Sequence, residues 1–265
     1  MNSSVKFRDK SIKYDVTGEG QCIVFLHGFL ESGEMWKRFT EDLSDEFQVV
    51  TIDLPGFGKS PVIAEKHPMS LMAEAVKTVL DEINIDSCIM IGHSMGGYIT
   101  LEFAVQYPEL LNGIGLFHSH ASADTEEARE NRRRTINIVN LNRKGFISQF
   151  IPDLFAEDST EKFSEEIEAL KTLAGKTPAK GIIAALEGMK ERSGKVDLLL
   201  KTKLPVLFIA GKEDLRIPIQ NILAQAILPE HSEVLILGKV GHMGFIEAYP
   251  ETFGMIRSFC SRVWN

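Results

Sequence analysis

The sequence predicts an α/β fold: a mostly parallel, doubly wound sheet with a helical cap inserted between two of its strands. Three observations lead there. Short, continuous apolar runs alternate with segments long enough for a helix, the rhythm of strands joined by right-handed crossovers. Residues 119–198 break that rhythm and carry helical patterns only. A serine flanked by glycines stands where one buried strand gives way to a helix.

Taken in order, residues 5–7 and 12–16 read as an opening hairpin. Residues 22–26 form an unbroken apolar run ending in His27-Gly28, as in a strand buried on both faces. Residues 47–52 repeat the pattern and close on Asp53-Leu54-Pro55-Gly56-Phe57-Gly58. Ser70 is placed to cap a helix over 70–83, with Leu71, Ala75, Val79 and Ile83 at helical spacing. Runs at 88–92, 111–117, 204–210 and 233–237 supply the remaining strands, and Pro250 opens a closing helix. Helical patterns at 124–141, 160–173 and 178–192 fill the long gap, with Thr177-Pro178 as cap and first-turn proline. The expected division is therefore a core of 1–118 and 199–265 and a cap of 119–198. Ligands of open parallel sheets bind outside the carboxyl ends of the strands, so the cap is expected to sit there as a lid.

Composition narrows the choice of partners. The 265 residues hold 29 Lys+Arg against 37 Asp+Glu, a formal charge of −8. No basic block is present to grip nucleic acid. Arg132, Arg133 and Arg134 follow Glu126, Glu127 and Glu130, the composition of a solvated helix face. The first ten residues lack a signal-peptide core, and no apolar stretch nears the ~20 residues that span a bilayer. Three cysteines without paired spacing suit buried small hydrophobes better than disulfides or a zinc site. A cytoplasmic protein without metal or cofactor is expected; a homodimer is left open.

The chemistry is concentrated in Gly92-His93-Ser94-Met95-Gly96-Gly97. A sharp strand-to-helix turn forces its central residue into a strained conformation, so the positions two before and two after must lack bulk. Ser94 is thereby raised above the sheet, and the Met95 amide points where an oxyanion forms. A serine nucleophile needs a base, and the base an orienting carboxylate. Gly241-His242-Met243-Gly244 follows the last strand and Gly211-Lys212-Glu213-Asp214 the one before, which puts both on the rim that carries Ser94.

With His27-Gly28-Phe29, residues 53–60, Gly92 to Gly97, Gly211 to Asp214 and Gly241-His242, the chain resembles the α/β-hydrolase fold superfamily from about residue 12 onward. The order Ser94, Asp214, His242 is the order of that fold. The resemblance implies Phe29 as donor of the second oxyanion amide beside Met95. It further implies acyl transfer to water, and the chain looks most like small carboxylesterases and 3-oxoadipate enol-lactonase-like hydrolases acting on a small, partly apolar ester or lactone. An aspartate nucleophile would mark the dehalogenase and epoxide hydrolase branches, and a cysteine the dienelactone hydrolases. Carbon–carbon bond hydrolases usually carry Trp where Met243 stands. Transfer of the acyl group to another acceptor, as in an acyltransferase or perhydrolase, carbon–carbon hydrolysis, and a non-catalytic receptor on this scaffold are the alternatives.

Pocket walls are expected from Leu30, Trp36, His118, Phe150, Leu154, Met189 and Met243. Asp124 is a lesser candidate for the orienting acid. His27 is expected to brace the oxyanion loop, His120 to share the rim with His118, and Arg192 to lie at the surface, with contact to a substrate carboxylate as its alternative.

Overall fold

A computed structural model describes residues 3–264. Eight strands form one sheet: β1 (Ser3–Phe7), β2 (Lys10–Thr17), β3 (Cys22–Leu26), β4 (Gln48–Ile52), β5 (Cys88–His93), β6 (Leu111–Phe117), β7 (Val206–Gly211) and β8 (Ser232–Leu237). Their spatial order is β1-β2-β4-β3-β5-β6-β7-β8. β1 and β2 pair antiparallel, as do β2 and β4; every later pairing is parallel. The unbroken apolar runs are explained by position. β3, β5 and β7 lie inside the sheet with every residue buried, and each buried Val, Leu, Ile or Phe contributes roughly 1.5–3 kcal/mol. β8 is different. Although its residues 234–237 are just as apolar, it is an edge strand, and Val234 and Ile236 remain partly exposed.

Helices α1 (Lys37–Leu43), α2 (Met69–Glu82) and α3 (Met95–Gln106) connect the first strands. Ser70 does not cap α2. Pro68 occupies the cap position with an extended backbone and no capping side chain, leaving Ser70 inside the first turn. Between β6 and β7 the described chain is helical, with α4 (Glu126–Phe150), α5 (Ser164–Lys176), α6 (Ala179–Glu191) and α7 (Val196–Lys201). The expected boundary at 198 therefore falls within α7. α4 starts where Thr125 Oγ1 accepts the Ala128 amide. It bends at Asn142, whose backbone leaves helical values and whose Oδ1 caps Gly145. The pattern that fades at 141 thus marks a kink within one long element. Pro178 is itself the cap of α6, one residue later than the expected Thr177. α8 (Ile219–Ala226), α9 (Gly244–Glu247) and α10 (Tyr249–Trp264) complete the chain.

The topology decides where a ligand goes. From β3 the chain crosses to β4 on one side and then to β5 on the other, so β3 and β5 flank the switch point where crevices open in such sheets. His27-Gly28-Phe29 leaves β3 and Ser94 leaves β5 at the same carboxyl rim, with Leu26 and Gly92 in register.

Candidate active site

The Ser94 elbow is strained in the way its spacing requires. Ser94 has φ +49° and ψ −111°, a conformation costly for a residue with a Cβ. A Cβ on Gly92 would stand 2.2 Å from the Gly96 carbonyl carbon, and one on Gly96 would stand 2.4 Å from the Leu26 carbonyl oxygen. The turn is held by the Ser94 amide, which donates to the Phe117 carbonyl at 2.9 Å. Ser119 Oγ in turn donates to the Ser94 carbonyl at 2.8 Å. The Ser94 side chain makes no capping bond to α3, which leaves its hydroxyl uncommitted to the helix. Met95, the first residue of α3, carries an amide without an acceptor inside the helix.

Four donors converge on Asp214 at this rim. Its Oδ1 accepts the amides of Arg216 at 2.8 Å and Ile217 at 2.9 Å. Its Oδ2 lies 2.7 Å from His242 Nδ1 and 3.0 Å from His118 Nδ1. Burial acts to raise its pKa, but the charge of His242 and the bonds from both imidazoles outweigh it and hold the carboxyl far below the usual range. His118 was expected to face the pocket. It is instead fully buried, with φ +47° and no partner for Nε2. Burial pulls its pKa down to about 4 against the attraction of Asp214, so a neutral ring donates Nδ1–H to the carboxylate. Asp124 makes no such approach to His242; Arg132 and Arg192 engage it.

A second buried cluster lies behind the first. Glu31 Oε2 accepts the Gly28 amide at 2.6 Å and faces His93 Nδ1 at 3.0 Å. His93 Nε2 meets the His242 carbonyl at 3.0 Å. Both partners of His93 can only accept, so the ring donates from both nitrogens and is a cation. Burial opposes that charge, yet Glu31 and the His242 carbonyl raise the His93 pKa. Burial likewise works against the Glu31 carboxylate, and the charge and hydrogen bond of His93 overcome it, lowering the Glu31 pKa. The chain Gly28–Glu31–His93–His242 therefore ties the loop after β3 to the loop after β8. His27 adds a brace, since its Nε2 accepts the Leu54 amide and Nδ1–H donates to the Gly28 carbonyl at 2.7 Å.

The segment between α4 and α5 also grips the His242 loop. The His242 amide donates to the Leu154 carbonyl at 2.6 Å. Glu247 gathers the amides of Ala156, Gly241 and Met243 and the Ser159 hydroxyl. No local pattern in the sequence announces Glu31 or Glu247 in these positions, and the rim position of His118 does not announce its bond to Asp214.

Ser94 and His242 line one cavity of about 300 Å³, and Phe29, Phe150, Leu154 and Met189 share its wall. Leu30, Trp36, His118 and Met243 are fully or almost fully buried elsewhere and are not among its lining residues. Trp36 turns inward, stacked on Phe25 with ring centroids 4.6 Å apart and tilted against Phe117 and Phe245. Leu30, in the loop after β3, has φ +65° and a side chain buried in the core. Arg192 corrects another expectation. It is 8% exposed, paired with Asp124 and stacked 3.9 Å over the Tyr98 ring. His120 packs edge-on to Tyr98; burial and then Arg192 lower its pKa to about 4.

Ligand atoms of His118, Asp214 and His242 lie within 4.8 Å of one another, close enough to surround a metal ion. The nitrogens facing Asp214 are the ones spent on hydrogen bonds to it. The set is thus built to satisfy itself, and a metal would have to displace those protons.

The family model for the alpha/beta hydrolase fold matches residues 21–249. A thermophilic esterase from Thermogutta terrifontis, solved with malate bound, is 32% identical; the match covers 96% of this chain and 94% of that one with a TM-score of 0.91. A pimeloyl-[acyl-carrier protein] methyl ester esterase from Aeromonas hydrophila is 28% identical over 253 residues, covering 92% of this chain and 96% of its own. The enol-lactonase from Burkholderia xenovorans LB400 superposes with a TM-score of 0.89 over 98% of this chain and 100% of that one. At 18% identity that likeness speaks for the fold alone. The chain belongs to the alpha/beta hydrolase fold family. Among the described residues no helix is long and apolar enough to cross a membrane.

Proposed function

We propose that this ester-acting hydrolase cleaves carboxylic esters or lactones of small, partly apolar substrates through an acyl-enzyme on Ser94. His242 Nδ1 donates to Asp214, which leaves Nε2 as the base that takes the Ser94 proton. Ser94 Oγ attacks the substrate carbonyl. The amides of Phe29 and Met95 receive the developing oxyanion. The tetrahedral species collapses as His242 returns the proton to the leaving alkoxide, and water repeats the attack to free the acid and Ser94. The steps call for no metal or cofactor. A cytoplasmic setting and a small-molecule partner complete the proposal.

The observation that carries this reading is the 2.7 Å bond between His242 and Asp214 beside the cavity that Ser94 lines. A panel of p-nitrophenyl esters of rising chain length, together with simple lactones, tests it. Turnover by the wild type at short acyl lengths, lost in Ser94→Ala, is the expected result. Equal turnover by both proteins rejects it. Adding an alcohol or peroxide acceptor separates hydrolysis from transfer, since a transferase forms more acceptor product than free acid.

A further inference from the structure

The cavity wall is chemically mixed. Its lining includes the apolar Phe29, Phe150 and Leu154 and the polar Asn131, Arg132 and Thr135 from one face of α4, with Arg216 from the loop after β7 stacked 4.6 Å over the Phe150 ring. Its cations outnumber its anions. Glu31 is the acidic residue of the lining, and His93 already neutralises it. Arg132 and Arg192 share a single carboxylate, Asp124, so two guanidinium charges meet one negative charge. The other lining cation, Arg216, has Asp153 at 3.6 Å, and that carboxylate side chain is 66% exposed.

Arg132 is also oriented as if one edge were kept for something else. Its Nε and Nη2 bond the two oxygens of Asp124 at 2.5 and 3.3 Å. Nη1 faces the Met189 sulfur at 3.5 Å, and a thioether is a weak acceptor. Arg192 needs nothing more, for it bonds Asp124, the Met189 carbonyl and the Ser122 carbonyl and stacks on Tyr98. A largely buried guanidinium held in place by one carboxylate, with a donor edge left to a sulfur, suits a second carboxylate.

We propose that the Arg132 edge, assisted by Arg216, is an anion subsite, and that the substrates are esters or lactones bearing a free carboxylate. This rests on the ester-hydrolase reading and names its substrate class. The scissile carbonyl lies at Ser94, the linking chain runs along the apolar lining residues, and the carboxylate replaces the sulfur as partner of Arg132. The carboxylate takes no part in the bond changes.

The test compares monoethyl adipate with ethyl hexanoate, substrates that differ by a terminal carboxylate, by titrating released acid. A charge-assisted hydrogen bond in a partly buried site is worth about tenfold or more. Wild type is expected to favour the monoester in kcat/KM by about tenfold, and less at high salt. Arg132→Gln is expected to lower monoester turnover about tenfold further than hexanoate turnover. Because it leaves Asp124 paired with Arg192, the variant should fold; Arg216→Gln, with a smaller loss in the same direction, is the second probe. Equal or better use of the neutral ester by wild type, or parallel losses in both variants, overturns the subsite. Adipate itself gives a readout free of turnover. It should raise the melting temperature of Ser94→Ala and not of Ser94→Ala/Arg132→Gln. If no ester is cleaved while that shift persists, the subsite stands and the hydrolytic reading falls.

Discussion

Two buried histidine–carboxylate clusters lie side by side at the rim, with the rings of His93 and His242 4.9 Å apart, and they are built on opposite plans. Around Asp214, two imidazoles converge on one oxygen while two amides fill the other. The carboxylate is saturated with donors, and His118 stays neutral. Around Glu31, a single imidazole is stretched between a carboxylate and a carbonyl and is therefore charged. The first plan suits a base, because it fixes one ring nitrogen and leaves the other free. The second suits a brace, because it neutralises a buried carboxylate while joining two backbone loops. The same residue types thus do different work, depending on whether their partners donate or accept.

The largest expected effect leaves both clusters in place. Ser94→Ala should lower ester turnover by about 10⁴-fold or more, measured against a melting curve that stays cooperative. Asp214→Asn strikes the first cluster. An asparagine amide can accept the two imidazoles or the two backbone amides but not both sets, so His242 loses its fixed tautomer and kcat should fall about 10³-fold or more, measured in steady-state assays.

Glu31→Gln strikes the second cluster and should cost about 3 kcal/mol of stability near pH 6 by denaturant titration. The sign of its pH dependence follows from the two shifts. The raised His93 pKa makes the pair's contribution complete below about pH 6.5, the unfolded value, and lost as pH rises through the folded value. The lowered Glu31 pKa makes its share present above about pH 4.5 and lost as pH falls through the folded value. The gap between wild type and Glu31→Gln should therefore be widest near pH 5–6 and narrow toward alkaline pH. A gap that widens with alkalinity would mean His93 is neutral and the two clusters are alike.

The smallest effect sharpens the comparison most. His118→Ala removes one donor from Asp214 without touching His242, and kcat should drop about tenfold with KM little changed. His118→Asn should recover part of the loss, since asparagine tolerates positive φ and keeps a donor.

How much of this was legible from sequence follows the range of the interactions. The elbow is local, and its glycine spacing states its own steric reason, so strand, turn and helix could be read together. The positions of Asp214 and His242 followed from strand ends. Glu31 and His93 lie 62 residues apart, and His118 and Asp214 lie 96 apart; such pairings leave no periodic trace. The burial of Trp36 and Leu30 is not legible in the sequence, because a place after the β3 loop does not say which way a side chain turns, and here the aromatic core takes up Trp36. Nor is that of Arg192, because charged residues are usually exposed, and only the fold reveals that Asp124 and Tyr98 form its socket. The edge position of β8 was equally hidden, since an apolar run does not report how many neighbours a strand has.

Acylation at Ser94 Oγ is tested by one mass measurement. Treating the protein with a p-nitrophenyl alkylphosphonate and digesting it should give a single adduct on the peptide that carries Ser94. Labelling should be about 10³-fold or more slower in His242→Ala, in line with a general base for the serine. An active esterase that takes no label at Ser94, or one labelled as fast without the imidazole, would contradict it.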